Sequence, residues 1–470
     1  MQNQKKFTTC QPRVMKVAVL TFFAFLALSS ALRAADQIYP LKVSANKRYL
    51  VDQKNKPFLV QGDSPWSLIV APDEAGVEQY LKNRREKGFN AIIVNLLEHH
   101  FSLHPPLNLA GDAPLTTPGD FSTPNEKYFA HADWVIRKAA EYGMVVVIYP
   151  FTLGYMGTDE GWVEEMLANG PEKCHNFGRY LGKRYKDFDN IVWILAGDRH
   201  PSGAIQEDVD MLALGIRDYD QRHLMSAHCE PEHSAVEDWS SGGWLDFNVT
   251  YTYGIVHVKL LEDYNHTPIM PSILVESSYE GEHNASDVQI RRQAYWAVLC
   301  GGFGHFFGNN PIWHFDTPGF FAQFANGVVP SRKMTWQQAM DLPGSVGMQH
   351  WGELFHSRNW YDLIPDQKHE VVTSGLGEFK GLDYLAASRT SDGSTVIAYM
   401  PTSREISVDM SKVAGSEVKA WWFDPRNGKA ADAGRYPAKG THQFTPPWEG
   451  DCVLVLDDDA RQLLPPGATR

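Results

Sequence analysis

The sequence predicts an α/β fold, a (β/α)8 TIM barrel followed by a small C-terminal β-sandwich. Three observations carry this. From Pro57 to about Asn310 a short apolar run, a polar loop and an amphipathic stretch recur. The apolar runs, such as Ala91-Ile92-Ile93-Val94 and Val145-Val146-Val147-Ile148, are near-continuous, as strands buried on both faces of a parallel sheet must be. After about Trp360 helical periodicity disappears, and strand-like segments alternate with turn signals such as Ser391-Asp392-Gly393 and Pro425-Arg426-Asn427-Gly428. A chain of 470 residues suits one large domain plus a smaller one. The expected boundaries are 1–34, 35–360 and 361–470.

The first segment has the layout of a secretory signal. Lys5, Lys6, Arg13 and Lys16 precede the apolar run 17–28, and small residues follow at Ser29, Ser30, Ala31, Ala34 and Ala35. The run is too short to span a bilayer as a helix, which argues against an uncleaved anchor. The expectation is bacterial export to the periplasm or the medium, with no stable membrane span after cleavage.

Residues 41–52 read as a pair of strands closing the barrel base. Eight barrel strands are expected near 58–61, 91–96, 144–149, 191–195, 223–228, 247–253, 273–276 and 304–307. Helices fit at 72–87, where Pro72, Asp73 and Glu74 start the helix and Gly88 stops it, and at 125–142, stopped by Gly143. Three more fit at 171–185, 205–219 and 285–299; in the first of these Cys174, Phe177, Leu181 and Tyr185 share one face. Eight βα units in about 250 residues is the size of a TIM barrel. The C-terminal strands are expected at 370–373, 382–387, 395–399, 418–423 and 452–456. Trp421 and Trp422 there read as core or interface residues.

Charge and cysteines narrow the function classes. The formal net charge is −13, and loss of 1–34 removes five basic residues and no acidic one, leaving −18. Such a surface repels nucleic acid and anionic membranes. Cys10 leaves with the signal. Cys174, Cys229, Cys300 and Cys452 are far apart and form no CxxC, so neither a disulfide scaffold nor a structural zinc site is expected. The histidines contain no HExxH, and Pro105-Pro106 breaks the His100/His104 spacing. His223, His228 and His233 cluster but read as neutral imidazoles. No metal and no cofactor is expected.

Catalytic groups of TIM barrels sit at the C-terminal ends of the strands. The residues there are Asp63 and Trp66; Asn95, Glu98, His99 and His100; Tyr149; Asp198; His228 and Glu230; Tyr251 and Tyr253; Glu276, with Tyr279 close behind; and His305, Asn309 and Trp313. Asp198 and Glu276 end strongly apolar strands, the fourth and seventh, whose ends face each other across the mouth. Glycoside hydrolysis needs such a pair, one acid to protonate the leaving oxygen and one carboxylate to attack the anomeric carbon or activate water. Asp63, Trp66, Asn95, Tyr149, His228, Tyr253, Tyr279 and His305 are the expected substrate-binding residues, with Trp66 as a stacking wall. Gly62-Asp63-Ser64 superficially matches an esterase nucleophile block, but that block belongs to an open-sheet domain.

Five motifs in this order resemble glycoside hydrolase family 140 and its apiosidase-like relatives: Phe58-Leu59-Val60-Gln61-Gly62-Asp63-Ser64-Pro65-Trp66, the segment 193–198, the segment 271–279, Arg291-Arg292-Gln293-Ala294-Tyr295-Trp296, and Gly304-His305 through Trp313. Phe423-Asp424-Pro425-Arg426-Asn427-Gly428 and the stretch from Pro446 to Leu456 look like the small domain that carries a collagen-binding label. The resemblance implies a TIM barrel, Asp198 as acid/base and Glu276 as nucleophile. It also implies action on plant cell-wall pectin side chains. Substrate specificity sits in loops, and 98–120 is the rim extension expected to shape the pocket. The main expectation is an exported, monomeric glycosidase with a carbohydrate substrate. The alternative is a secreted matrix- or glycan-binding protein with a non-catalytic barrel.

Overall fold

The computed structural model describes Met1, residues 38–315 and residues 334–468. Apart from Met1, the expected export signal lies outside the described residues, and so does Cys10.

Three two-residue strands precede the barrel: β1 (Lys42–Val43), β2 (Leu50–Val51) and β3 (Pro57–Phe58), paired antiparallel in that order. The third strand was not expected. Phe58 pairs with Leu50, which delays the first barrel strand, β4, to Val60–Asp63. Then follow α1 (Glu74–Glu86), β5 (Ala91–Leu97), α2 (Glu126–Glu141), β6 (Val145–Phe151), α3 (Val163–Tyr185), β7 (Ile191–Ala196), α4 (Ala204–Arg217) and β8 (Met225–His228). After the short β9 (His233–Ser234) and α5 (Ala235–Asp238) come β10 (Asn248–Tyr251), α6 (Val256–Asn265), β11 (Ser272–Glu276), α7 (Asp287–Leu299) and β12 (Gly304–Phe307). All eight expected barrel strands are present.

The helix ends follow local chemistry. Asp73 caps α1 by accepting from Gly76 N at 2.8 Å, and the chain leaves α1 and α2 through Gly88 and Gly143 at φ 85° and 69°. In α3 the expected start at Pro171 is a kink at Gly170 (φ 70°, ψ 178°), and the helix continues back to Val163. Proline cannot donate to the preceding turn, so two helical pieces meet there.

The barrel strands run in the order β8-β7-β6-β5-β4-β12-β11-β10, with neighbours parallel, and β9 adds antiparallel to β10. At the β8/β10 seam Asp246 replaces the ladder. Its backbone N donates to Met225 O at 2.8 Å, and its Oδ2 accepts from Met225 N at 2.8 Å and from Arg217 Nη2 at 2.5 Å.

After the barrel come α8 (Trp336–Ala339), α9 (Pro343–His356) and nine strands: β13 (Leu363–Pro365), β14 (Val372–Ser374), β15 (Ala386–Thr390), β16 (Thr395–Met400), β17 (Ile406–Asp409), β18 (Glu417–Asp424), β19 (Lys429–Pro437), β20 (Thr441–Phe444) and β21 (Cys452–Asp458). They form an antiparallel six-stranded sheet, β13-β15-β16-β21-β18-β19, facing a three-stranded one, β14-β17-β20. Strand alternation divides the large sheet. Val396, Ala398, Trp422, Leu454 and Leu456 point into the sandwich core, while Ile397, Tyr399, Phe423, Val453 and Val455 join the barrel core. The four cysteines expected in the mature chain are free and buried.

α7 is the joint. Tyr295 stacks on Tyr399 with centroids 4.5 Å apart and planes within 3°. Arg291 donates to both oxygens of Asp451, at 2.7 and 2.9 Å. The Asp451 side chain is 1% exposed, so removing its partner leaves a buried, uncompensated charge. Arg291→Ala is expected to cost about 3–5 kcal/mol of stability, measured as a lower urea midpoint for the full chain.

Candidate active site

Two backbone irregularities aim the two carboxylates. β7 leaves the sheet through Ala196 (φ 65°), Gly197 (φ 124°) and Asp198 (φ 55°). Ala196 and Asp198 are therefore held in a region costing about 1–3 kcal/mol for a side-chain-bearing residue. Gly197 is required, since a Cβ there would lie 2.9 Å from the Thr152 side chain. On β11 the device is a bulge. Thr250 pairs with Leu274 and the next residue, Tyr251, pairs with Glu276, so two steps of β11 match one of β10. Plain alternation would place Glu276 on the face of Leu274, whose partner Thr250 bonds Asp263 of α6 at 2.6 Å. The bulge turns Glu276 to the mouth, beside Tyr251.

Asp198, Glu276 and His228 each bring an oxygen or nitrogen within 4.8 Å of the other two. Glu276 is 9% exposed, and Asp198 is partly exposed with a covered Oδ1 that has no hydrogen-bond partner. Burial pushes the Asp198 carboxyl up to about 6, against a hydrogen bond from Tyr251 that lowers it. Burial first, then the Asp198 charge, raise Glu276 well above the usual carboxylate range, against a hydrogen bond from Tyr253. Two carboxyls this close cannot both ionise easily, so the pair shares a proton and its titration belongs to the pair. Tyr253 OH donates to Glu276 Oε1 at 3.2 Å and lies 3.1 Å from Tyr251 OH. His228 lies with Nε2 3.6 Å from Glu276 Oε2, and its burial lowers its pKa to about 3, so it is neutral.

The pair opens into a pocket of about 570 Å³. Trp66, Phe101, Tyr251, Tyr253, Tyr279 and Trp313 form its aromatic wall, and Glu160 and Glu282 add two acids from loops. The wall is braced from behind. Trp66 Nε1 donates to Tyr279 OH at 2.8 Å, Trp313 Nε1 donates to Glu282 Oε1 at 2.8 Å, and Trp66 lies edge-on to Tyr149 at 4.7 Å. Phe101 comes from the expected rim extension. Glu98 holds that turn by accepting from the backbone N of His99, His100 and Phe101 at 2.9–3.2 Å.

Of the expected substrate-binding residues, Trp66, Asn95, Tyr253 and Tyr279 line the pocket. Tyr149 and His228 are fully buried against Trp66. Asp63 and His305 are corrections. Asp63 is fully buried, and its Oδ2 accepts from Arg84 Nε at 2.5 Å and Tyr80 OH at 2.6 Å on α1. His305 pairs with Gln61, whose amide donates to Lys87 O and Met348 O in the helix layer, so it faces outward too. Both errors are one of parity: these residues lie on the strand face opposite the mouth. Tyr251 was recognised at the rim without a role. Glu160 and Glu282 carry no strand signal that would have found them.

Residues 44–362 match the family model described as "Apiosidase-like, catalytic domain", and 364–457 match "Putative collagen-binding domain of a collagenase". A solved structure named as a glycoside hydrolase is 27% identical, with 89% of this chain and 97% of that one covered and a TM-score of 0.78. A glycoside hydrolase family 5 protein from Bacteroides vulgatus ATCC 8482 is 26% identical, over 91% and 96%, with a TM-score of 0.79. No curated protein matches.

Asp63 supplies a test of the corrected placement. Asp63→Asn is expected to lower stability by about 3–5 kcal/mol, because it strands the buried Arg84, while leaving KM of the folded fraction unchanged. Thermal denaturation and KM on the same preparation check this.

Proposed function

The chain belongs to the apiosidase-like catalytic-domain family and is a glycoside hydrolase; from that premise we propose that it is a retaining glycosidase with Asp198 as acid/base and Glu276 as nucleophile. The observation that carries this is that a carboxylate oxygen of Asp198 and one of Glu276 lie within 4.8 Å of each other. Retaining enzymes hold the two groups about 5–5.5 Å apart, whereas inverting ones need about 6.5–9.5 Å to admit a water. In the first step Asp198 gives its proton to the leaving oxygen while Glu276 bonds to the anomeric carbon. In the second, Asp198 takes a proton from water, the resulting hydroxide attacks the anomeric carbon, and Glu276 leaves as carboxylate. Each carboxyl faces a tyrosine donor that favours its ionised form, Tyr251 at Asp198 and Tyr253 at Glu276, so the roles rest on strand position, and the covered, unpartnered Oδ1 of Asp198 is the atom that would carry the acid's proton.

The substrate reading is a neutral terminal sugar on a plant cell-wall polysaccharide, such as a pectin side chain. Glu160, Asp198, Glu276 and Glu282 line the pocket, and among the described residues no lysine or arginine does. A uronate carboxylate would meet like charge there. Export to the periplasm or medium rests on the leader over 1–34, and among the described residues no helix is long and apolar enough to cross a membrane. The protein acts as a monomer, with the catalytic barrel over 35–360 and the region 361–470 as a buttressing accessory. The intact carboxylate pair weighs against a purely binding barrel.

Asp198→Asn is expected to lower kcat by roughly 10²–10⁴-fold, and Glu276→Gln by at least as much, with the fold kept by circular dichroism. Proton NMR of the first-formed product should show the anomeric configuration of the substrate. Activity needs one proton on the pair. It should therefore fall as pH drops through about 6, where both carboxyls become protonated, and fall again at higher pH as the last proton leaves. A neutral aryl glycoside should exceed the matching uronide in kcat/KM by roughly 100-fold; parity between them would reject the neutral-sugar assignment.

A further inference from the structure

The segments between β7 and α4 and between β8 and β10 assemble a second cluster beside the pocket, made of His200, Glu230, His233 in β9 and Asp238 in α5. Each offers one ligating atom, and these atoms lie within 4.8 Å of one another. His200 Nδ1 is 3.4 Å from both Glu230 Oε1 and Asp238 Oδ1. His233 Nε2 is 3.6 Å from Glu230 Oε1, and its Nδ1 is 2.8 Å from Asp238 Oδ1. We propose that these four residues form a binding site for a divalent transition-metal ion of the zinc class.

The spacing fits. A tetrahedral ion with ligands at ~2.0–2.1 Å has ligand–ligand edges of about 3.3–3.4 Å, and His200 Nδ1 stands 3.4 Å from both Glu230 Oε1 and Asp238 Oδ1; His233 would bring one nitrogen to the ion, its Nε2 being 3.6 Å from Glu230 Oε1. The donor chemistry fits as well. Two imidazole nitrogens and two carboxylate oxygens suit zinc and its neighbours, whereas calcium and magnesium prefer all-oxygen shells. Charge balances, since two carboxylates meet one divalent cation.

A separate observation points to a missing partner. The Asp238 side chain is 2% exposed, and its Oδ2 is buried with no hydrogen-bond partner. A buried carboxylate oxygen without a donor is costly, and a cation on that carboxylate would neutralise it. His200 and His233 stand on the outer side, 51% and 38% exposed, and leave an entry path from solvent.

The location gives the ion a positioning role. His200 lies two residues after Asp198. Between Glu230 and His233 the loop carries Pro231, which lines the pocket, and Glu232, held at φ 70°. Glu232 accepts from Tyr253 N at 2.8 Å and Thr252 Oγ1 at 2.6 Å, and Tyr253 is the donor to Glu276. An ion here clamps the Asp198 loop to the loop that holds Tyr253. The proposal does not depend on the hydrolytic reading.

The test uses the full mature chain without an affinity tag, stripped with a chelator and titrated with Zn²⁺, with Ca²⁺ and Mg²⁺ as comparisons. Zn²⁺ is expected to bind with one ion per chain by calorimetry and elemental analysis. It should raise Tm by about 2–5 °C at a concentration ~100-fold above Kd. His233→Ala should abolish both effects, and so should His200→Ala, whose half-exposed side chain can be removed without opening the core. Glu276→Gln should keep them. Absence of Zn²⁺ binding to the wild type overturns the proposal. So does binding that survives both histidine variants, or binding lost in Glu276→Gln, which would place the ion on Asp198, His228 and Glu276 instead.

Discussion

The structure is arranged around two carboxyl groups that are held too close together for both to ionise easily. Asp198 and Glu276 repel, both are desolvated, and their pKa values rise as a result. Two acids on mobile segments would swing apart into water. Here each follows directly from a buried strand of a nearly closed parallel sheet, where the hydrogen-bond ladder and the packed interior leave no room for retreat. The left-handed turn at 196–198 and the bulge on β11 persist because that scaffold over-determines them.

The surrounding layers transmit the same stiffness. The loop after β11 carries Tyr279 and Glu282 into the pocket and is tied down by Glu280. That side chain accepts from Asn309 Nδ2 at 2.8 Å and from Gly344 N at 2.7 Å, which joins the ends of β11 and β12 to the start of α9. Behind it, α7 is clamped to the large sheet of the C-terminal region by Arg291–Asp451 and Tyr295–Tyr399. A second bidentate pair, Arg358 to Asp457 at 3.0 and 2.7 Å, repeats the device at the end of the barrel region. These contacts are buried and specific, which suits a buttress better than a tethered module.

Much of the barrel was legible because its strands are fully buried. A strand that faces side chains on both sides must be apolar throughout, and such runs stand out between helices. The helices α6 and α9 were missed. In α6 the polar residues His257, Lys259 and Asp263 are buried beside the leucines, so polarity does not mark its solvent face, and α9 carries Gly344, Gly347 and Gly352, which read against a helix. In the large C-terminal sheet the four inner strands were recognised and the edges β13 and β19 were not; in the small sheet β14 was recognised and β17 and β20 were not. β19, for example, has an edge position and a half-exposed pattern.

The sequence alone determined the number of barrel strands, their approximate places and the residue types near their ends, because burial imposes composition. It therefore pointed to Asp198 and Glu276 as facing groups. It did not determine which strand-end side chains face the mouth. Asp63 and His305 lie on the outer face, and Glu276 would lie there too without its bulge, because a single inserted residue reverses every side chain beyond it. Nor did it bring His200, Glu230, His233 and Asp238 together, or deliver Glu160 and Glu282 to the pocket. Those meetings depend on loop paths, which follow from packing against the finished barrel rather than from any local periodicity.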